Sequence, residues 1–189
     1  DGFVLDRLGD ALSKAGDHPA AIQAFESTLA TGYFADPAYL HLSIGKDYAA
    51  QGDHSSAVRS YLTAYDSTNN EYARSQANLL LGQSYLALGE PGQAYARYQD
   101  SVNNYPRPFD SYTQLVALVT DGQAVSEFQR GLVDYYAGQY SVGVEAFDRF
   151  MAANPEHDGA AHYYKALCLR ALSQPDPAVS ELNQLIRDH

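Results

Sequence analysis

The stretch Leu79–Pro106, LLLGQSYLALGEPGQAYARYQDSVNNYP, contains small and aromatic residues at spacings that decide the fold of the whole chain. Gly82 is followed at offsets of 7, 12, 16 and 24 residues by Gly89, Ala94, Tyr98 and Pro106. The segment has no cluster of charges, no metal-ligand spacing and no glycine-rich phosphate loop. Its conspicuous residues are therefore interpreted as structural.

The same spacing recurs along the chain from starting points at Gly9, Gly45, Gly131 and Ala166. Together with Gly82 these anchors give five copies in register, separated by 36, 37, 49 and 35 residues. Most of these steps lie close to the period of about 34 residues that is typical of helix–turn–helix repeats. A single repeat of this kind cannot bury its apolar stripe, so neighbouring helix pairs must stack. The sequence therefore predicts an all-α stack of antiparallel helix pairs.

The copies resemble the tetratricopeptide repeat (TPR) family, whose Leu-Gly…Tyr…Gly…Ala…Phe…Pro pattern is matched by Leu81-Gly82…Tyr85…Gly89…Ala94…Tyr98…Pro106. The resemblance covers nearly the whole chain and implies a right-handed α-solenoid of five repeats. Small residues at the Gly82 and Ala94 positions permit close helix contact, and Gly89 suits a left-handed turn between the helices. The aromatic residue at the Tyr98 position is expected to fill the interface with the following repeat.

An irregular step of 49 residues separates the third and fourth anchors. Within it, SYTQLVALVTDG is apolar at helical spacing and ends at a glycine, which predicts an inserted helix near 109–121. The first helix of repeat 4 is then expected over 123–137. The expected organisation is one continuous superhelical domain in three parts: repeats 1–3 over 1–106, the inserted helix within 107–122, and repeats 4–5 over 123–189.

The composition excludes several classes of partner. The 189 residues carry 12 basic and 23 acidic side chains, a formal net charge of −11, and form no basic patch in the sequence. Nucleic acids and anionic membranes need clustered lysine and arginine, so neither is expected as the main partner. No apolar run approaches the roughly 18 residues of a membrane span. Both ends lie inside helical patterns, so we interpret the chain as part of a longer protein.

Sequence motifs for catalysis and cofactor binding are absent. There is no P-loop, dinucleotide fingerprint or Gly-x-Ser-x-Gly elbow, so we expect no enzyme activity and no cofactor. Acids and histidines are concentrated at 156–158 and at His162, but the spacing of five residues between His157 and His162 does not suit one helix face. We therefore expect no metal site. Cys168 lies in an apolar helical segment and is expected to be a buried structural thiol.

Two abundant residue types are assigned structural roles. Glu26, Asp47, Asp134 and Glu145 fall on helices at positions that the repeat leaves exposed, so solvated carboxylates are favoured over a general acid–base pair. The 16 tyrosines could form a stacking surface for sugars or bases. At helical spacing, packing between helices is the favoured interpretation.

In TPR arrays the first helices of successive repeats line a concave groove that usually holds an extended peptide or a helix. The resemblance places the following partner-binding residues in that groove: Tyr39, Lys46, Gln76, Leu79, Gln83, Phe128, Tyr135, Tyr163 and Arg170. Only two of them are basic, which disfavours the carboxylate-clamp mode of gripping a peptide C-terminus. The aromatic, aliphatic and amide lining suits an apolar peptide or a neighbouring domain, and packing against the inserted helix is the alternative.

Two roles remain open for such a chain. The first is a non-catalytic protein–protein interaction or scaffold module, with association into homo-oligomers as a further option. The second comes from a looser resemblance of residues 72–106 and 130–172 to repeats of bacterial cell-envelope proteins, including those upstream of lytic transglycosylase domains. It implies a non-catalytic helical region of a peptidoglycan-cleaving enzyme, with the catalytic domain outside this chain. It also favours a periplasmic or other extracytoplasmic bacterial location.

Overall fold

The computed structural model describes residues 1–188, and these residues form α-helices with no β-strand among them. The predicted all-α class is confirmed. None of the described helices is long and apolar enough to cross a membrane. In chain order the helices are α1 (Gly2–Ala15), α2 (His18–Ala30), α3 (Ala38–Ala50), α4 (His54–Ser67), α5 (Glu71–Ala87), α6 (Pro91–Asn104), α7 (Phe109–Thr120), α8 (Glu127–Tyr136), α9 (Tyr140–Ala153), α10 (Ala160–Ala171) and α11 (Pro175–Asp188).

The chain forms two compact units, one over Asp1–Tyr98 and a second that begins at Gln99, and the division falls within α6. In the first unit α1 packs on α2, α2 on α3, α3 on α4 and α4 on α5. In the second unit α8 packs on α9, α9 on α10 and α10 on α11. This is the helix–turn–helix order that the sequence predicts. The predicted boundaries between groups of repeats, at residues 106 and 122, differ from this division into two units and stay a prediction.

Short turns join the two helices of a repeat, and the predicted residues form them. Gly52 and Gly89 adopt left-handed backbone conformations with φ of 78° and 75°, where a side chain would be strained. The next residue after Gly52, Asp53, caps α4 because its Oδ1 accepts a hydrogen bond of 2.9 Å from the backbone N–H of Ser56. The chain therefore reverses direction within three residues.

The repeat glycine lies beneath the aromatic ring found 16 residues later. A methyl group added to Gly82 would meet Cε1 of Tyr98 at 2.0 Å, and one added to Gly45 would meet Cε1 of Tyr61 at 2.3 Å. Gly9 under Phe25 and Gly131 under Phe147 repeat this arrangement, each at 2.6 Å. Any larger residue at these positions would displace the ring, which explains the spacing of glycine and aromatic residues in the sequence.

The same rings also fill the interfaces between repeats, as predicted. The side chains in contact are Phe25 with Leu40 and Ile44, Tyr61 with Ala77 and Leu81, and Phe147 with Ala161 and Cys168. All of them are almost fully buried. Removing this apolar area from water stabilises each junction.

The inserted helix is observed as α7, close to its predicted range. It buries Leu118 completely and ends at Thr120, and Gly122, two residues later, has a φ of 67°. The backbone N–H of Gln123 donates a 2.9 Å hydrogen bond to the carbonyl of Leu118, which closes the helix end. Because this closure turns the chain, α8 begins at Glu127 and not at residue 123 as predicted.

Candidate partner-binding surface

The groove residues predicted in the first unit lie on α3 and α5, which contact each other. Lys46 and Gln83 occupy equivalent positions, each one residue after the repeat glycine, and both are exposed. Gln76 and Leu79 are half-buried on α5. These four residues supply one charge, two amides and one aliphatic side chain, and they include no aromatic side chain.

Tyr39, the aromatic residue predicted in this unit, is 37% exposed and is tied to α1. Its hydroxyl donates a hydrogen bond to the carboxylate of Asp6, which is fully buried. Arg7 donates a second hydrogen bond of 2.7 Å to the same carboxylate. Two donors compensate the burial of this charge, so Tyr39 links α3 to α1 while part of its ring faces solvent.

Asp47 is buried, so the expectation of a solvated carboxylate there is wrong. Its Oδ1 lies 2.7 Å from both Ser13 Oγ and His18 Nδ1, which belong to the preceding repeat. Neighbouring repeats approach closely enough for one carboxylate to bridge them. Glu26 and Glu145 are exposed, as predicted.

In the second unit, Phe128 and Tyr135 on α8 are half-buried members of an aromatic cluster. The ring centroid of Phe128 lies 5.2 Å from that of Phe150 and 6.0 Å from that of Phe147. The ring of Tyr135 lies 5.7 Å from Tyr164. These two predicted groove residues therefore pack α8 against its neighbours and present only part of their surface to solvent.

The exposed edge of this cluster consists of Tyr135, Tyr136, Tyr163 and Tyr164, which we call the tyrosine patch. Tyr136 is 37% exposed and Tyr163 is 46% exposed. Consecutive ring centroids lie 5.1 Å apart for Tyr135 and Tyr136, 6.5 Å for Tyr136 and Tyr164, and 5.4 Å for Tyr163 and Tyr164. The four rings form one continuous surface supplied by α8 and α10.

Two arginines adjoin the tyrosine patch. The guanidinium of Arg107 lies 5.8 Å from the ring centroid of Tyr136, a cation–π contact. Arg170 is exposed on α10, and its positive charge favours the ionised form of the Tyr135 phenol. Partial burial raises the pKa of Tyr135, and a hydrogen bond with Tyr136, together with burial, raises the pKa of Tyr164. These two phenols are therefore neutral at physiological pH.

Three members of this surface, Tyr136, Tyr164 and Arg107, were not among the residues predicted from the sequence. The available signal was the pair of doublets Tyr135-Tyr136 and Tyr163-Tyr164. Adjacent residues on a helix point in directions about 100° apart, so two neighbouring rings cannot both enter the core. One ring of each doublet must lie near the surface.

Asp134 on α8 is also buried, again against expectation. Arg130 Nε lies 3.8 Å from Oδ2 of Asp134, and that oxygen accepts no hydrogen bond from any residue the structure describes. Burial raises the pKa of Asp134 to about 6, outweighing the nearby Arg130 and Arg149. Burial, followed by the charge of Asp134, raises the pKa of the Cys168 thiol to about 12. The prediction that the Cys168 thiol is buried is confirmed.

His157 and His162 lie close together, with ring centroids 5.1 Å apart. His162 Nδ1 is 2.6 Å from Glu181 Oε2, and Lys165 donates to the other Glu181 oxygen at 2.5 Å. Although burial alone would raise it, hydrogen bonds from Lys165 and His162 lower the pKa of Glu181. These groups join α10 to α11 beside a polar cavity of about 710 Å³. Within residues 1–188, no three His, Cys, Asp or Glu side chains are arranged to hold a metal ion.

The sequence model of the family described as Tetratricopeptide repeat matches residues 42–107 and 128–188. It leaves out residues 1–41, which include α1 and α2, and residues 108–127, which include α7 and the turn that follows it. A search of curated proteins finds no match.

This chain is similar to several solved structures. One is a tetratricopeptide repeat protein from Parabacteroides merdae that is 14% identical to this chain, with a TM-score of 0.50. The match covers 99% of this chain and 79% of that protein's chain. The TPR2AB domain of yeast Sti1, solved in complex with pHSP90, is 15% identical and has a TM-score of 0.50. That match covers 99% of this chain and 77% of the Sti1 chain. MamA is 18% identical and has a TM-score of 0.49, and the match covers 99% of this chain and 91% of the MamA chain. Because the family match spans more than half of the chain, whose glycines and aromatic rings pack at the repeat spacing, this chain belongs to the tetratricopeptide repeat family.

Proposed function

We propose that this chain is a non-catalytic protein-interaction module that binds a peptide or a partner domain through the first helices of its repeats. Membership of the TPR family supports a protein-binding role in general. The observation that carries the specific proposal is the tyrosine patch, in which Tyr136 and Tyr163 are exposed, together with the adjoining Arg107 and Arg170.

Tyrosine and arginine are the residues that most often dominate binding energy at protein interfaces, together with tryptophan. A tyrosine ring supplies a large rigid contact area and loses little conformational entropy on binding. Here the half-buried Tyr135 and Tyr164 hold the two exposed rings in place before any partner arrives. A preorganised surface of this kind loses less free energy to ordering on association.

The patch favours a partner with apolar side chains and accessible carbonyl groups. Apolar side chains would cover the exposed ring faces, and the arginine and phenol groups would donate to carbonyl or carboxylate oxygens. The net charge of −11 acts at longer range and disfavours strongly acidic partners. An extended, mainly apolar peptide or a helix with an apolar face fits both conditions.

The test is selection of peptides from a displayed random library on the immobilised chain. Binding of a selected peptide is then measured by fluorescence anisotropy for wild type, Tyr163→Ala and Tyr136→Ala. We expect each substitution to weaken binding about 5- to 30-fold, the range for interface tyrosines at 1–2 kcal/mol. Tyr33→Ala is the matched control, because Tyr33 is 55% exposed in the segment between α2 and α3 and does not belong to a first helix of a repeat. Equal binding by all four proteins would contradict the assignment to the tyrosine patch.

The second role, as a non-catalytic region of a bacterial lytic transglycosylase outside the cytoplasm, stays a prediction. One observation favours it, because exposed tyrosine rings also stack on sugar rings. Co-sedimentation of the chain with purified peptidoglycan, lost in Tyr163→Ala, would support that role. We expect no hydrolysis of the glycan by this chain, and measured turnover would contradict the non-catalytic assignment.

A further inference from the structure

A cleft of about 130 Å³ lies beside the inserted helix α7, and we call it the α7 cleft. Three helices supply its lining, which includes Tyr112, Val116 and Val119 on α7, Arg130 and Asp134 on α8, and Val142 on α9. None of these residues belongs to the tyrosine patch. The residues from α7 also lie outside the two segments that the family model matches. The α7 cleft is therefore a feature that the regular repeat does not supply.

The α8 side of the cleft departs from the repeat pattern. Arg130 and Asp134 stand one residue before and three residues after the repeat glycine Gly131. In repeats 2 and 3 both positions hold aliphatic or aromatic residues that pack in the cores between repeats, namely Ile44, Tyr48, Leu81 and Tyr85. A polar pair at positions that the fold elsewhere uses for apolar packing is the kind of departure found at functional sites.

The carboxylate of Asp134 is an acceptor without a donor. Its side chain is only 4% exposed, and no residue from 1 to 188 donates a hydrogen bond to its Oδ2. Arg130 Nε lies 3.8 Å from that oxygen, which is too far for a hydrogen bond. A buried acceptor left unpaired costs free energy, and a donor on a bound ligand would recover it. The cleft is therefore complementary to a ligand that carries a hydrogen-bond donor.

The two charges determine which kind of donor fits. An ammonium group would pair with Asp134 but would lie beside the guanidinium of Arg130. A carboxylate would be repelled by Asp134. A carboxamide is neutral, and its N–H groups can donate to Asp134 while its carbonyl accepts from Arg130. The side chains of asparagine and glutamine carry this group and are small enough for the cleft.

The α7 side of the cleft continues into an exposed apolar stripe. Phe109, Tyr112, Val116 and Val119 follow one another at intervals of three, four and three residues, so they lie along one side of the helix. Phe109 is 66% exposed, Val116 is 45% exposed and Val119 is 39% exposed. Another side of α7 is buried within the unit. A surface helix usually has one apolar side, and this spacing is the one by which two helices pack along each other.

We propose that the α7 cleft binds an amphipathic helix of a partner protein. This helix packs apolar side chains along the exposed stripe of α7 and places one asparagine or glutamine carboxamide against Asp134 and Arg130. The proposal goes beyond the function proposed above, because it uses a different surface of the chain and no residue of the tyrosine patch.

Selection from a displayed library of helix-forming peptides tests the proposal. The target is the full chain carrying Tyr136→Ala and Tyr163→Ala, which disfavours peptides that bind the tyrosine patch. We expect the selected peptides to share an apolar stripe that contains one asparagine or glutamine. Adding Val116→Asp to the target should weaken binding by at least about 10-fold in fluorescence anisotropy, because docking would bury the new carboxylate. Val179→Asp is the matched control, since Val179 is 55% exposed on α11, which does not line the cleft.

A second pair of substitutions tests the carboxamide. Replacing the asparagine or glutamine of a selected peptide by leucine should weaken binding to the target about 5- to 30-fold, because Asp134 then stays unpaired in the complex. Asp134→Leu removes the acceptor and nearly preserves the shape of the side chain. On a target with this substitution, the leucine peptide should bind at least as tightly as the carboxamide peptide. Far-UV circular dichroism should show the same helix content in both targets.

Three results would overturn the proposal: selection of no peptide, binding that Val116→Asp leaves unchanged, or a leucine peptide that binds the target as tightly as the carboxamide peptide. A second copy of this chain is the alternative occupant of the cleft. Sedimentation velocity should give the same mass for the wild type and for Val116→Asp alone. A wild-type dimer that Val116→Asp dissociates would assign the cleft to self-association and would also overturn the proposal.

Discussion

At the scale of single residues, the buried carboxylate of Asp134 makes folding depend on pH in an identifiable direction. Its pKa in the folded protein is about 6, above the ordinary value of 3.8. The folded state therefore binds this proton more tightly than the unfolded state. The resulting stabilisation is fully present below about pH 4 and is lost as the pH rises through about 6.

Asp134→Asn removes this titration while nearly preserving the shape of the side chain. The difference of about 2 between the folded and ordinary pKa means that folding favours the protonated form of Asp134 over the ionised form by about 3 kcal/mol. We expect the variant to be more stable than the wild type by about 1–3 kcal/mol at about pH 7.5, and nearly equal to it at about pH 4. Urea unfolding at the two pH values measures the difference. A variant less stable than the wild type at the higher pH would show that the Arg130 charge compensates the carboxylate.

Single residues also show which structural features can be predicted from the sequence. The turn glycines, the glycine under each aromatic ring and the buried Cys168 were predicted, because each recurs at a fixed offset or lies in an apolar helical segment. The buried Asp47 and Asp134 were not predicted. Burial of Asp47 depends on Ser13 and His18, which lie 34 and 29 residues away and outside the periodic pattern.

At the scale of helices, the fit between the repeat glycine and the aromatic ring fixes how closely two helices approach. A methyl group on Gly82 would lie 2.0 Å from Cε1 of the Tyr98 ring, so the ring or the helix must shift. We expect Gly82→Ala to destabilise the protein by about 1–3 kcal/mol, the usual cost of overpacking. Urea unfolding monitored by circular dichroism measures the change.

Gly92→Ala is the matched control for that substitution. Gly92 lies in the first turn of α6 with a negative φ, and an added methyl group meets no atom within 4 Å. The higher helix propensity of alanine should leave stability unchanged or raise it by less than about 1 kcal/mol. Equal effects of the two substitutions would show that contact with Tyr98 is not what requires glycine at position 82.

Helices were more predictable than the surface they form. The inserted helix α7 was located from its apolar spacing and terminal glycine, both of which are local signals. The start of α8 was misplaced by four residues, because residues 123–126 contain no proline or glycine to exclude them from a helix. The hydrogen bond from Gln123 to Leu118 that closes α7 keeps this segment outside α8. The tyrosine patch was only partly predicted. It depends on α8 and α10 meeting across a repeat, and the groove positions taken from the family include only one ring of each doublet.

At the scale of the whole molecule, the net charge of −11 opposes compaction. Like charges repel in the folded state, and this repulsion extends about 30 Å at 0.01 M salt but only about 8 Å at 0.15 M. Salt also weakens the attraction within exposed ion pairs such as Arg149–Glu127, and this effect lowers stability. Such pairs contribute at most about 1 kcal/mol. The pair of Arg7 with the buried carboxylate of Asp6 is screened less than a fully exposed pair. Repulsion should therefore dominate the response to salt.

We expect the unfolding temperature at neutral pH to rise by about 2–4 °C, or about 1 kcal/mol, between about 0.01 M and about 0.15 M NaCl. Differential scanning calorimetry of the protein at the two salt concentrations measures this change. Near the isoelectric point of about 4.7 the net charge vanishes, so the effect of salt should vanish there as well. A fall in unfolding temperature with NaCl at neutral pH would mean that local ion pairs outweigh the net charge. A rise of equal size at both pH values would indicate an effect of salt on apolar burial and not on charge.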